Sequence, residues 1–397
     1  MNLLWLSATP ECHSGYGNAT RHMISWLTKQ GHWVAAATKH PVSIRWRMWN
    51  VPGTDKQRPI LAGTNVKVIN NDIMDKWKLD CCISMYDVWA LKTPIHRHIP
   101  WIPIDTQNVS EKIVKVVKDT PMQIAMTKHG KRELEANGLS PEYAPIGFDP
   151  EVFHPKPDKA QEFRETLLWK DGLKPDDMFL IGSVGLNYPD DRKGFVILLQ
   201  AFREFRKKHP EARLFLHTQA RKDQGTNYAK IAQELGVMDY IGWPDQAQFW
   251  LGQYTAETLA SMYSGMDVFC LPTRGEGFGM PVVEAQACGT PVVVTENTSG
   301  PELTRSGCLI HTDSDDYVYT GLNTWRVQPK PSSVVRSLAH VRSLTWIGMR
   351  KEISAGVQEY AWPNVWENHW DPIIKKIEGM LPIEGESNGN SSDDEEV

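Results

Sequence analysis

The stretch from residue 267 to 294 constrains the fold of this 397-residue chain more than any other. Residues 267–271 are a short apolar run without polar alternation, the pattern of a strand buried in a parallel sheet. Gly275, Gly277 and Gly279 follow, and without Cβ atoms their backbone can lie close against a ligand. Pro281 suits the first turn of a helix, where its missing N–H costs nothing, and Gly289 suits that helix's end. A second apolar run, 292–294, returns the chain to the sheet. The helix start offers free N–H groups and the positive end of a dipole, which favours an anion such as a diphosphate. Two carboxylates bracket the loop. Glu276 lies in the glycine turn and Glu284 in the helix's first turn, both able to face whatever the loop cradles.

A chain of this length holds two domains of ordinary size. The net charge of -5 excludes a whole-protein field that would attract nucleic acid, and leaves room only for a local basic patch. The six cysteines show no C-x-x-C spacing, so no zinc framework is signalled. Several lie in apolar runs, which fits reduced thiols packed as small hydrophobes. No run is long enough to span a bilayer, and no basic region precedes a secretory apolar core. A cytoplasmic protein without an integral membrane segment is expected.

Residues 2–8 read as a first buried strand, 9–17 as a loop, 18–30 as a helix and 32–38 as a second strand. The loop's Ser14-Gly15-Tyr16-Gly17 approximates a dinucleotide fingerprint. Thr20, however, stands where the third glycine belongs, and Thr38, Lys39 and His40 stand where an acid would hold a ribose, so NAD binding is rejected. Residues 39–58 are basic, aromatic and punctuated by proline, with Asp55 the only acid. Arg45, Trp46, Arg47, Trp49, Lys56 and Arg58 suit contact with a nucleic acid, contact with a membrane surface, or a plain solvated loop. Further strand-like runs at 65–69, 80–85, 100–105, 123–127 and 143–146 alternate with helical stretches. That alternation implies a parallel sheet covered on both faces, with ligands beyond the carboxyl ends of its strands. Asp105 leaves a buried strand on that side, placed either to orient an acceptor hydroxyl or to cap the next segment. A second series opens at 179–184. It continues through a loop holding Asn187, Arg192 and Lys193 into a helix with Phe195, Leu198, Leu199, Phe202 and Phe205 on one face. Asp313-Ser314-Asp315 has a metal-binding D-x-D form but reads as a solvated turn, and no metal site is expected. Residues 384–397 are acidic and of low complexity, and should be disordered.

Residues 276–292 resemble the signature of the GT-B glycosyltransferases of family 4, the retaining group 1 enzymes. That signature sets Glu-x7-Glu in the context E-G-F-G-x-P-x-x-E-A-x-A-x-G-x-P-V, and this chain matches it at every fixed position. Looser resemblances are the glycine loop at 14–17, Gly31-His32-Trp33-Val34, the linker at 147–155 and the terminal stretch at 362–370. Together they cover residues 2–380. They imply an α/β GT-B protein, with two Rossmann-like domains facing across a cleft. An N-terminal acceptor domain would occupy 1–155, with 363–380 packing back on it, and a nucleotide-sugar domain 176–360. The implied reaction moves a sugar from a nucleotide-diphosphate sugar, the co-substrate, to an acceptor hydroxyl, with neither metal nor other cofactor. The acceptor is left open between saccharide, lipid, protein and modified nucleobase, and the oligomeric state is not indicated. By the resemblance, Glu284 would hold ribose hydroxyls. Glu276 and the N–H groups of Gly277, Phe278 and Gly279 would hold sugar hydroxyls. Lys193 would neutralise the leaving diphosphate, and Gly15, Tyr16 and Gly17 would line the cleft. The family's second basic contact, an Arg soon after Gly185, is missing: Leu186 or Asn187 stands there, and Arg192 is the available replacement. A non-catalytic nucleotide-sugar or nucleic-acid binding protein of the same fold, and a nucleotide-sugar epimerase, remain as alternatives.

Overall fold

The computed structural model describes residues 1–12, 14–38, 45–62, 71–91, 95–223, 225–344, 346 and 348–381. The strand read at 65–69, the start of the basic segment (39–44) and the acidic tail (384–397) lie outside the described residues.

The first half contributes β1 (Asn2–Ser7), α1 (Gly15–Lys29), β2 (Trp33–Thr38), β3 (Arg45–Asn50), β4 (Gln57–Ala62), α2 (Asn71–Lys76), β5 (Cys81–Met85), β6 (His98–Ile102), α3 (Glu111–Val117), β7 (Ile124–Ala125), α4 (Lys128–Glu135) and β8 (Glu142–Tyr143). These strands form one sheet in the order β3-β4-β2-β1-β5-β6-β7-β8, with β3 antiparallel to β4 and the other pairs parallel. The winding direction reverses between β1 and β5, the kind of switch point at which such sheets bind ligands. Residues 81–85 and 98–102 are buried throughout, as their position inside a sheet covered on both faces requires.

The second half contributes α5 (Pro157–Thr166), β9 (Phe179–Val184), α6 (Phe195–Arg206), β10 (Ala212–His217), α7 (Tyr228–Glu234), β11 (Ile241–Gly242), α8 (Gln246–Trp250), α9 (Ala256–Gly265), β12 (Val268–Leu271), α10 (Met280–Ala287), β13 (Val292–Thr295), α11 (Gly300–Leu303) and β14 (Gly307–Ile310). Its sheet runs β11-β10-β9-β12-β13-β14, all parallel, and reverses between β9 and β12. The α6 stripe of Phe195, Leu198, Leu199, Phe202 and Phe205 is buried in one cluster with Leu214, Val268 and Val293. Each of these side chains stabilises by roughly 1.5–3 kcal/mol relative to leaving it in water. A separate antiparallel hairpin, β15 (Tyr317–Tyr319) and β16 (Trp325–Val327), follows the second sheet. The chain then runs through α12 (Pro331–Ser343), α13 (Arg350–Ala355), α14 (Trp362–Val365), a π-helical turn at Trp366–Trp370 and α15 (Asp371–Met380).

The chain passes between the two sheets twice, and the two crossings touch. The Phe148 N–H donates to Tyr360 O (2.9 Å) and the Trp362 N–H donates to Phe148 O (2.9 Å). The tryptophans spaced four apart then lie on the first domain. Trp362 stacks on His22 (5.3 Å between centroids), Trp366 stacks on Trp26 (5.4 Å), and Trp370 meets Trp101 edge to face (4.9 Å).

Two stretches differ from the sequence reading. Helix α1 starts at Gly15, because the Ser14 hydroxyl caps it by accepting the Gly17 N–H (3.1 Å). Gly15, Tyr16 and Gly17 are therefore its first turn and not a loop. The basic segment, where described, includes β3 and continues into β4, a hairpin on the sheet's edge. Arg47 pairs with Glu11 on the loop after β1, and Arg58 is buried, donating to Gln57 O (3.0 Å) and His32 O (3.2 Å). Arg58 is thus turned into the fold, while Arg47 stays at the surface with its charge answered by Glu11. Among the described residues no helix is long and apolar enough to cross a membrane.

Candidate active site

The site is assembled where the loops leaving β9 and β12 meet the segment leaving β6. A Cβ on Gly275 would overlap the Asp105 carbonyl oxygen, and one on Gly277 would come within 2.6 Å of Pro103 Cβ. These glycines therefore let the motif loop lie directly on the first domain. Gly279 has φ +107°, a conformation other residues rarely adopt, and from it the chain turns into α10 with Pro281 in the first turn. Glu284 falls at the start of that helix's second turn, one step later than the spacing predicts.

Glu276 is buried and held by cations. Lys193 Nζ donates to both of its oxygens (2.8 and 2.9 Å), the Thr273 hydroxyl donates to Oε1 (2.9 Å), and Arg192 Nη1 lies 3.6 Å from Oε2. Burial by itself would raise this carboxyl. Lys193 and then Arg192 outweigh it, and the net position is below the ordinary carboxylate value. Arg192 and Lys193 are adjacent, yet both reach the same carboxylate. The turn between β9 and α6 explains this. Asp191, at φ +49°, accepts the N–H groups of Phe195 (2.9 Å) and Val196 (3.2 Å) and the Tyr228 hydroxyl (3.0 Å), pinning the loop to the start of α6. Arg192 also donates to Gly275 O (2.6 Å) and lies 3.6 Å from Asp105 Oδ2.

Asp105 thus faces the other domain's arginines. Besides Arg192 it takes a hydrogen bond from Arg326 Nη2 (2.7 Å), while Arg326 Nη1 donates to Asp190 (3.0 Å). Tyr16, half-buried in the first turn of α1, has its hydroxyl pushed well above its ordinary value by burial, with Asp87 and Asp105 adding to the effect and Arg192 opposing it. Gly15 lies beside Met280, so the start of α1 borders the start of α10. Glu284 sits apart from this charge cluster. One of its oxygens accepts the hydroxyl of the fully buried Tyr263 (3.0 Å), and burial pushes its carboxyl up to about 7. Phe278 is buried against Tyr360 (6.0 Å). Asn187 is turned inward. Its amide donates to Gln219 O (3.0 Å) and Thr226 O (2.7 Å), its Oδ1 accepts the Thr226 N–H (2.9 Å), and the side chain braces the loop after β10.

Glu276, Lys193, Arg192 and Asp105 are therefore brought together, with Tyr16 close to the same charges. Glu284 and Asn187 have other partners. Reading the sequence gave no individual role to Arg326, Thr273, Tyr263 or Thr298, whose hydroxyl accepts the Glu276 N–H (3.1 Å). For Arg326 a signal exists: Tyr317-Val318-Tyr319 and Trp325-Arg326-Val327 are short runs rich in aromatic and β-branched residues around a turn containing Gly321 and Asn323. Nothing in that pattern says where the hairpin docks.

A family profile described as glycosyl transferases group 1 matches residues 179–322, the half that carries Lys193, Glu276 and Glu284. The mannosylfructose-phosphate synthase of Agrobacterium fabrum is 27% identical over 252 residues, 61% of this chain and 52% of that protein. A D-inositol 3-phosphate glycosyltransferase of Stackebrandtia nassauensis is 33% identical over 306 residues, 74% of this chain and 57% of that protein. The chain spans about half the length of these two curated relatives. Among solved structures, the sucrose-phosphate synthase of Thermosynechococcus elongatus superimposes with a TM-score of 0.70 at 15% identity, covering 96% of this chain and 99% of the other. The Anabaena HepE protein in complex with UDP gives 0.65 at 12% identity, covering 96% and 100%. The two facing sheets and these likenesses agree on the GT-B fold, and residues 179–322 carry the profile of the group 1 glycosyl transferases.

Proposed function

We propose that this protein transfers a glycosyl group from a nucleotide-diphosphate sugar to an acceptor hydroxyl, with retention of configuration and without a metal ion. The observation that carries the reading is the convergence of Lys193 and Arg192 on Glu276 beside the start of α10. Two cations and a helix N-terminus are what a diphosphate needs. When the donor enters, its phosphates take over Lys193 and Arg192, and Glu276 is released to the sugar hydroxyls. Glu284, backed by Tyr263, receives the ribose hydroxyls. The acceptor lies on the first domain's side, near Asp105 and Tyr16. In the transfer the acceptor oxygen bonds to the anomeric carbon on the face from which the phosphate departs. The bond from that carbon to the phosphate oxygen breaks, and the acceptor's proton passes to the departing phosphate. No side chain has to act as base, and the two cations stabilise the charge that develops on the diphosphate.

The relatives' names mention phosphorylated sugars and an inositol phosphate, so such compounds lead the acceptor panel. The test is a matrix of UDP- and GDP-sugars against free and phosphorylated sugars, run with and without EDTA, with the anomeric configuration of any product read by NMR. Transfer that retains configuration and persists in EDTA is expected. An inverted product, or activity abolished by EDTA and restored by Mg2+, overturns the corresponding part. Binding of a nucleotide sugar without turnover of any kind would make the chain a binding protein.

A further inference from the structure

The hairpin of β15 and β16 belongs to neither large sheet. Its backbone pairs across to Gln107 of the opposite domain. The Gln107 N–H donates to Trp325 O (2.8 Å) and the Trp325 N–H donates back to Gln107 O (3.1 Å). Arg326, next in sequence, joins Asp105 (2.7 Å) to Asp190 (3.0 Å). The Gln107 amide also donates to Asn297 Oδ1 (2.7 Å), in the loop after β13. Residues 105–107 of the first domain are thus gripped by loops of the second, and most of the grip comes from the hairpin. An isolated two-stranded hairpin is marginal in water, so its ordering here depends on what it leans on. The planar guanidinium of Arg326 can answer two carboxylates at a fixed angle, which a lysine cannot do. Its side chain is 17% exposed against 30% for Asp105, so the contact is better shielded than a surface pair.

We infer that Arg326 is a positioning residue for the acceptor. It fixes the Asp105 carboxylate and clasps the hairpin across the cleft, so that the acceptor side is organised only in the closed molecule. The assignment to the acceptor rests on the transfer reaction proposed above, whereas the clasp itself does not.

Two kinds of measurement test it. In nucleotide-free protein, spin labels at Lys115→Cys and Lys208→Cys, with Cys12 and Cys308 changed to serine, report the distance between domains. Arg326→Ala should broaden and lengthen that distribution, and Arg326→Lys should do so less. With the donor found in the matrix, Arg326→Ala should leave UDP or GDP affinity and donor hydrolysis by water within about threefold of wild type. It should lower kcat/KM for the acceptor by about tenfold or more. Asp105→Asn should reproduce the loss, and the double variant should be no worse than either single one. Circular dichroism confirms folding. An unchanged distance with unchanged transfer overturns the inference. So does a fall in nucleotide affinity that parallels the fall in transfer, because Arg326 would then be a donor ligand. If wild-type protein turns over no donor, the transfer reading fails on its own, and the distance measurement still decides the clasp.

Discussion

A buried glutamate destabilises a protein unless something answers its charge, and this site answers two of them differently. Glu276 faces Lys193 and Arg192, whereas Glu284 has a tyrosine hydroxyl. Removing the first charge strands a buried lysine, so Glu276→Gln should lower the melting temperature. Removing the second should raise it at high pH. The folded Glu284 carboxyl stands near 7 against an ordinary 4.5, so the folded state binds this proton more tightly than the unfolded state. Its contribution is complete below the unfolded value and is lost as pH rises through about 7, a penalty on the order of 3 kcal/mol by pH 8. Thermal scans at pH 5 and pH 8 should therefore show Glu284→Gln more stable than wild type at the higher pH, and by a much smaller margin at the lower. In steady-state kinetics, Glu276→Gln should lower kcat by about a hundredfold with donor KM little changed, because in the proposed reaction a carboxylate beside the sugar helps most when positive charge develops at the anomeric carbon in the transition state. Glu284→Gln should raise donor KM more than it lowers kcat. Near-normal values for both variants would remove the central assignment. The two glutamates and Lys193 could be singled out in the sequence because two family motifs fix their spacing, and the fold brings Glu276 and Lys193 together while Glu284 takes another partner. The shared direction of Arg192 and Lys193 was not. It depends on the positive φ of Asp191 and on carboxylate contacts that become sequence neighbours only after folding.

At the scale of elements, strongly periodic stretches were read best. The α6 stripe and the apolar strands of both sheets follow from their patterns, because burial on one face or both leaves little choice of partner. The hairpins were harder. In the described part of the basic segment, charge masked the edge strand β3, a position where a sheet tolerates charge, and Pro52 fell in the turn before β4. The start of α1 was missed for a local reason. Ser14 gains a partner in the Gly17 N–H, so the helix begins in a run of glycines that reads as a loop. Gly17 is needed there, since a Cβ would overlap the Cys12 carbonyl oxygen. Gly17→Ala should therefore displace the loop after β1, which carries Glu11 and through it holds Arg47 of β3. A loss of about 1–3 kcal/mol is expected from urea unfolding, the usual size for overpacking. An unchanged midpoint would mean the loop relaxes freely.

At the scale of the whole molecule, the motif loop touches both domains, and the positioning of the site depends on how they swing. Phe148 and Ala361 are paired as neighbouring links, and Trp362 sits over Gly147, where an added Cβ would fall 2.5 Å from the indole. Two links pinned side by side act as a single axle. Rotation about it is the soft motion, while sliding or pulling the domains apart would have to break both links and the tryptophan stack together. The same arrangement makes the backbone redundant. A protease that nicks the chain once within residues 149–156, between the Phe148 pairing and α5, cuts one link only, and the other still carries the load. The nicked protein should run as one particle on gel filtration and as two fragments only after denaturation.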